Sequence, residues 1–345
     1  NYRHDVTREI DVIEEVIRIY GYNNIPSLSD SKTHYPEKNI KSYESINNII
    51  ANQLIGLGFN EVVNNSIISP TSNNFKKEID ESKLVDILNP IGTEISQMRN
   101  SLLFGLLENI SYNLKRQEQN IKIFETGKVY LNDKGEFIEN KYVSISLTGD
   151  FYDQNWIYNN QPDIFFKMKG IVNSILVKLG FNKCEEVVVN KNMFEDSIEF
   201  RLGGKLIAMA GTVNLKTINH FDIHQQVAYA ELELNKIFDF YSNKKFKVSP
   251  IRQFPFSKRD YAILIDNDVD FNSLKEKSLK ISGKLLYKID LFDVYNGKEL
   301  PKNKKSYGIS FYFYNNEKTI TDSEINIICN KLEKMFIDSF GAELR

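Results

Sequence analysis

NPIGTEISQMRNSLLFGLLENISYNLKRQEQNIKIFETGKVY, residues Asn89 to Tyr130, switches from a helical to a strand period, and the switch sets the fold class. Its Asn-Pro-Ile-Gly opening reads as a loop. From Ser101 to Lys115 apolar residues fall at Leu102, Leu103, Leu106, Leu107, Ile110 and Leu114, the spacing of a helix buried along one face. Ile121 to Tyr130 is short, β-branched and aromatic, which predicts a strand. A core helix packed on a sheet is the simplest arrangement that buries both.

The flanks extend this α+β pattern. Upstream, Tyr43 to Leu57 carries Ile46, Ile49, Ile50 and Leu54 and stops at Gly56 and Gly58, a second amphipathic helix. Glu61 to Ser69 reads as a strand leading to Pro70. Downstream, DIFFKMKGIVNSILVKLGF from Asp163 offers Phe165, Phe166, Ile171, Ile175 and Leu179 as expected core. Ala228 to Leu234 alternates apolar and polar residues, entering a strand. His220 and His224 just before it stand i, i+4; they read as part of a structural turn rather than as metal ligands.

The end of the chain spells a second unit. After a polar, Lys-rich linker from Asn243 to Arg252, strands are expected at 260–265, 284–295 and 305–314, helices at 271–280 and 322–340, and a short strand at 342–344. The order βαββαβ is the ferredoxin-like split. Its last helix carries the strongest local signals: a capping box at Thr321 to Glu324, a stripe of Ile325, Ile328, Leu332 and Phe336, and Gly341 at the exit. Tyr307, Phe311 and Phe313 share one face of the preceding strand and Tyr312 and Tyr314 the other. Each reads first as core, while whichever set faces solvent could stack bases, with Lys258, Arg259, Lys302, Lys304 and Lys305 as candidate phosphate contacts.

The beginning is acidic. DVIEEVIRIYGYNNIP from Asp11 is an amphipathic helix with an apolar stripe of Ile10, Ile13, Ile17 and Tyr20, and Gly21 stops it. If the helix begins at Asp11, then Asp11, Glu14 and Glu15 lie side by side at i, i+3 and i+4, with Asp5 just upstream. Two readings stay open: a solvated turn favoured by the helix dipole and paired with Arg18, or an oxygen-ligand site for a hard divalent ion.

Composition narrows the class. The 345 residues are 41% hydrophobic and 26% charged, ordinary usage for two or three globular domains. Cys184 and Cys329, far apart, argue against a disulfide framework and for a reducing, cytoplasmic setting. No apolar run of membrane-spanning length and no signal-peptide pattern is present, so no membrane role is expected. Net charge is −2, yet residues 247–345 hold 17 Lys and Arg against 14 Asp and Glu, a mild basic surplus compatible with a nucleic-acid module. The start at Asn1, inside a structural element, reads as that of a fragment. Walker loops, His-Glu-x-x-His pairs and Gly-x-Ser-x-Gly elbows are lacking.

Three stretches resemble one family, the bacterial phenylalanyl-tRNA synthetase beta subunit. DVTREIDVIEEVIRIYGYNNIP resembles the end of its fifth module. Met98-Arg99, the helix from Ser101 to Leu107, and Phe124-Glu125 with Gly127 resemble its class II synthetase-like but noncatalytic domain, departing at Phe104 and Thr126. FPFSKRDYAILID and the closing FGAELR resemble its ferredoxin-fold anticodon-binding domain. The resemblance implies domains at 1–38, 39–246 and 247–345 and an antiparallel class II sheet with flanking helices before the ferredoxin-like unit. It implies an α₂β₂ ligase joining phenylalanine to tRNA-Phe, with ATP bound by the alpha subunit and Mg²⁺ held at the subunit interface by Asp5, Asp11, Glu14 and Glu15. No catalytic residue is expected here: an adenylate-forming site needs an Arg after Tyr130, where Leu131 stands, and a late Gly-rich Arg motif, where Leu202 to Thr212 offers glycines without the Arg. The alternative is a free-standing RNA-binding or assembly module built from such domains.

Overall fold

In the computed structural model the described residues are 3–26, 41–69, 81–92, 95–151, 163–244, 251–297 and 300–344. Most of the expected connector 23–37 and residue Arg345 of the closing motif lie outside them. The chain forms two compact units, Asn1–Phe246 and Lys247–Arg345.

The first unit opens with α1 (Glu9–Tyr20) and α2 (Tyr43–Gly56). Its sheet is built from β1 (Asn60–Glu61), β4 (Ile121–Asp133), β5 (Glu136–Thr148), β6 (Glu185–Val189), β7 (Phe194–Leu202), β8 (Lys205–Val213) and β9 (Val227–Glu233). The strand order is β1-β4-β5-β9-β8-β7-β6, antiparallel except for the β1–β4 pair. A separate ribbon pairs β2 (Ile67–Ile68) with β3 (Gln97–Met98). Helices cover both faces because successive strand residues point opposite ways. Phe124, Val143 and Ile145 face α2, α4 (Ile164–Lys178) and α6 (Leu234–Ser242), whereas Ile121, Ile123 and Tyr229 face α3 (Leu103–Leu114) and α5 (Leu215–His220).

Two expectations are corrected here. The strand expected at Glu61 to Ser69 is two short pieces, because Asn64 between them turns its backbone N–H and side chain to Glu125 instead of to a ladder. Phe166 is 66% exposed rather than core: residues adjacent in a helix point about 100° apart, and Phe165 takes the inward position.

The second unit orders its strands β11-β12-β10-β13, from β10 (Ser257–Asp266), β11 (Leu286–Tyr295), β12 (Lys304–Phe313) and β13 (Glu343–Leu344). All pairs are antiparallel. Helices α7 (Phe271–Ser282) and α8 (Asp322–Phe340) lie on one face, where Ile263, Ile309, Phe311 and Phe313 meet Leu274, Ile325, Leu332 and Phe336. Chain order and strand order together make the ferredoxin-like fold. Glu324 of α8 closes the capping box with Thr321, and Gly341 ends the helix at φ 57°, a left-handed conformation that costs glycine little.

Candidate subunit and nucleic-acid interfaces

Helix α1 begins two residues earlier than the carboxylate spacing suggests, and Asp11 explains why. It occupies the third helical position and accepts hydrogen bonds from the backbone N–H of Thr7 (3.0 Å) and Arg8 (2.9 Å) as well as from the Arg8 guanidinium (3.0 Å). Together these bonds hold its carboxyl below the usual range, the Arg8 side chain contributing most. Asp11 is therefore drawn into the helix start.

Asp5 and Glu15 behave differently. One Arg3 guanidinium nitrogen lies 2.5 Å from Asp5 and 3.0 Å from Glu15, so two carboxylates separated in sequence converge on one cation. The Arg3 hydrogen bond lowers the Asp5 carboxyl to about 2. Glu14 lies one residue away and meets Arg18 at 2.9 Å, which also reaches Glu15 at 3.5 Å. Among the described residues no group of three or more His, Cys, Asp or Glu converges as a metal site, so the four expected carboxylates are not gathered at one point by this chain alone. Beside them runs an exposed apolar surface, with Ile10, Val16 and Tyr20 each more than half exposed, and no residue of α1 is buried.

The most buried charges described in the first unit are Arg99 and Glu125, two residues that carry the resemblance but whose pairing no sequence signal announces. Arg99 and Glu125 pair at 2.6 Å with side chains 7% and 1% exposed. Arg99 also donates to the carbonyls of Lys128 (2.9 Å) and Asn64 (3.3 Å), and Glu125 accepts from the Asn64 amide at 2.7 Å. Asn109 of α3 closes the network on Asn64. A Cβ at residue 127 would collide with this guanidinium and come within 2.9 Å of Leu102, so Gly127 is required where Arg99 crosses the strand. Beside the network lies a cavity of about 560 Å³ lined by Asn64, Arg99, Ser101 and Glu108 among others, and burial pushes the Glu108 carboxyl up. Further along the same sheet face the Tyr229 hydroxyl donates to Glu231 (2.9 Å) and meets Ser144 (3.0 Å); burial raises both Tyr229 and Glu231. These groups satisfy one another.

In the second unit the sheet face opposite the helices is open. Tyr307, Phe311 and Phe313 are buried in the core shared with α7 and α8, and of the other pair Tyr314 is buried as well, at 7%, so only Tyr312 keeps partial exposure. Tyr312 points to the open face, where Phe292 is 61% exposed and lies so close over Gly308 that a Cβ there would sit 2.8 Å from its ring. Lys258 and Lys288 approach the Tyr312 ring at 6.0 and 5.5 Å, each also paired with an aspartate, Asp260 at 3.0 Å and Asp290 at 2.6 Å.

The five expected cations form two groups. Strand register sets Lys258 against Tyr312 and Asp266 against Lys304, so Lys258 and Arg259 stand at one end of β10 and Lys302, Lys304 and Lys305 near the other. At about 3.4 Å per residue the ends are roughly 25 Å apart. Arg259 pairs with Asp322 at 2.6 Å and Lys304 with Glu343 at 2.5 Å, while Lys305 donates to the carbonyl of Asn267 at 2.8 Å. Lys302 is exposed just before β12. His224 sits on the exposed turn after α5, 3.2 Å from Asp222, away from any cluster of potential ligands among the described residues.

Comparison with known proteins now adds to this geometry. Residues 29–234 match the phenylalanyl tRNA synthetase beta chain CLM domain, 252–345 the ferredoxin-fold anticodon binding domain, and 1–22 the tRNA synthetase B5 domain. The phenylalanine–tRNA ligase beta subunit of Porphyromonas gingivalis is 33% identical over 100% of this chain and 44% of its own length. That of Bacteroides thetaiotaomicron is 34% identical with the same coverage. The chain thus spans less than half the length of these relatives. A solved pyrrolysyl tRNA synthetase from Desulfitobacterium hafniense aligns at TM-score 0.46 and 16% identity over 57% of this chain and 68% of its own.

Proposed function

Because the chain belongs to the phenylalanyl-tRNA synthetase beta-chain family, we propose that it works as a noncatalytic part of phenylalanine–tRNA ligase, supplying subunit interface, scaffold and tRNA contact. The observation that carries this reading is the ordered succession of three family matches along one chain. In this reading 1–38 closes the preceding module, 39–246 is the catalytic-like scaffold, and 247–345 meets the tRNA. The assembly is an α₂β₂ heterotetramer in the cytoplasm, with ATP and the acylation chemistry in the alpha subunit.

The first unit suits a scaffold. Its deepest charged groups are spent on each other: Glu125 is engaged by Arg99 and Asn64, and Glu231 by Tyr229. Buried charge tied down in this way fixes the packing of α3 on the sheet and leaves little to act on a substrate.

The N-terminal carboxylates suit half of a shared Mg²⁺ site. Mg²⁺ takes one or two carboxylates from a partner and keeps other positions for water or a second chain. Asp5 and Glu15 already converge on one cation, the Arg3 guanidinium; Glu14 lies beside them, and Asp11 is engaged at the helix start. The metal would supply charge neutralisation between two acidic surfaces. Exposed Ile10, Val16 and Tyr20 would add apolar contact in the same region.

Co-expression with the cognate alpha subunit tests the proposal. A stable heteromer is expected, weakened by EDTA in the wild type but not in a double variant of Asp5→Asn and Glu15→Gln. Failure to associate would return the chain to the free-standing module.

A further inference from the structure

On the α2, α4 and α6 side of the first sheet lies a pocket of about 710 Å³ to which the scaffold role gives no task. Its floor is apolar: Phe181 is 5% exposed, and Leu202 and Phe240 are half-buried against the same core. Three segments enclose it, the exit of α4 at Gly180, the turn between β7 and β8, and the last turns of α6. Gly203 and Gly204 make that turn with φ 57° and 77°, a two-residue hairpin loop suited to glycine, and it sets Leu202 opposite Lys205. The walls are fixed in advance. Lys41 donates to the carbonyls of Tyr241 (2.8 Å), Ser242 (3.2 Å) and Lys244 (2.7 Å) at the end of α6. Lys244 in turn donates to the Gly180 carbonyl, its ammonium 4.8 Å from the centre of the Phe181 ring.

Charge at the rim is mostly of one sign. Lys183, Lys205, Lys236 and Lys244 border the pocket against one acid, Asp239. Lys236 is spent on Glu233 at 2.6 Å, whereas Lys183 and Lys205 are exposed and pair with no acid among the described residues. A concave apolar floor with a few convergent charged groups, within a volume of about 300–1,000 Å³, is the form of a small-molecule site. A phosphate ion alone would have no use for the two rings, and a neutral ligand none for the two free ammoniums. The two features together select a molecule with an aromatic body and an anionic end.

We propose that this pocket binds a small aromatic organic anion, its ring lying against Phe240 and Leu202 over Phe181 and its carboxylate or phosphate meeting Lys183 and Lys205. Such a ligand ties together the exit of α4, the β7–β8 turn and α6, on the side of the sheet opposite Arg99 and Glu125. The site is independent of any tRNA contact made by residues 247–345.

The test uses the α–β holoenzyme and equilibrium dialysis with naphthoate and naphthyl phosphate, set against uncharged naphthol and aliphatic octanoate. One saturable site per copy of this chain is expected, with a Kd on the order of 0.1 mM for the better anion, usual for a ligand of that size. Naphthol and octanoate should each bind at least about fivefold more weakly, the first lacking the charge and the second the ring. Lys183→Glu combined with Lys205→Glu should weaken both naphthyl anions on the order of tenfold or more, and Lys183→Arg with Lys205→Arg should retain them. Both lysines are exposed, so Tm should stay at the wild-type value in either variant. The stronger of the two anions identifies the charged group that the lysines prefer. Equal binding by the wild type and the Glu variant would overturn the inference, because the anions then sit elsewhere in the holoenzyme. So would naphthol matching naphthoate, which marks an apolar cleft without anion recognition, octanoate matching naphthoate, which removes the aromatic body, or the absence of saturable binding by either anion.

Discussion

Replacing Arg99 by Met should be among the most damaging single changes in the first unit. Its side chain is only 7% exposed and pairs at 2.6 Å with Glu125, whose side chain is 1% exposed. Met fills much of the volume but leaves Glu125 with only the Asn64 backbone and amide as donors. Breaking a buried pair from one side costs about 3–5 kcal/mol, because the remaining charge stays desolvated. For a unit of this size that corresponds to a loss on the order of 10 °C in Tm. Glu125→Leu should cost as much, for the opposite charge. The double variant should cost far less than the sum, since it removes both charges and leaves an apolar contact. Gly127→Ala, whose Cβ would occupy the guanidinium's space, should be severe in the wild type and mild in Arg99→Met. Urea unfolding with tyrosine fluorescence gives the free energies of wild type and of each of these variants. Strict additivity, or a single-variant cost under about 1 kcal/mol, would refute the view that this pair is a desolvated, mutually dependent unit.

Other consequences follow from charge and surface. Glu324 is held at about 2 against an ordinary 4.5, chiefly by Lys318 and then by the Thr321 backbone. Its folded value is depressed, so its stabilisation is present above pH 4.5 and is lost as pH falls toward 2; Glu324→Gln should flatten that stretch of an acid melting curve. Glu231 is shifted the other way by burial, so it favours folding below its unfolded value and opposes it as pH rises; Glu231→Gln should raise Tm at pH 8 and lose that advantage near pH 4. Lys258→Gln with Lys288→Gln should reduce the salt slope of tRNA binding by about 1–2 while leaving Tm unchanged, as expected of phosphate contacts. An unaltered slope would remove that end of the sheet from the backbone-binding surface.

How far the sequence carried this account depended on the range of the signals. Helix α8 could be read to its ends because Thr321, Glu324 and Gly341 act locally, within a turn of the residues they cap. The βαββαβ order was likewise legible from alternating periods. What escaped was set by register. Arg99 and Glu125 are far apart in sequence and meet only because β4 runs past the segment holding Asn64. A glutamate at an inward position of an apolar strand, two residues before a glycine, was the available hint. The five candidate cations carry no signal of their placement in the sequence, and antiparallel pairing sends them to opposite ends of β10. Asp11 was counted with the other carboxylates, but competition from backbone N–H groups draws it into the helix start, moving that start to Glu9. The pocket over Phe181 joins residues from three separate segments and no spacing rule foretells it.

The central claim, a noncatalytic scaffold joined to a tRNA-contacting unit, is tested most directly by removing one and measuring both half-reactions. In the α–β ligase, deletion of residues 247–345 should leave ATP–pyrophosphate exchange with phenylalanine near the wild-type rate while charging of tRNA-Phe falls steeply. Charging at the wild-type rate would contradict the role given to the second unit, and loss of exchange would contradict the assignment of activation to the alpha subunit alone.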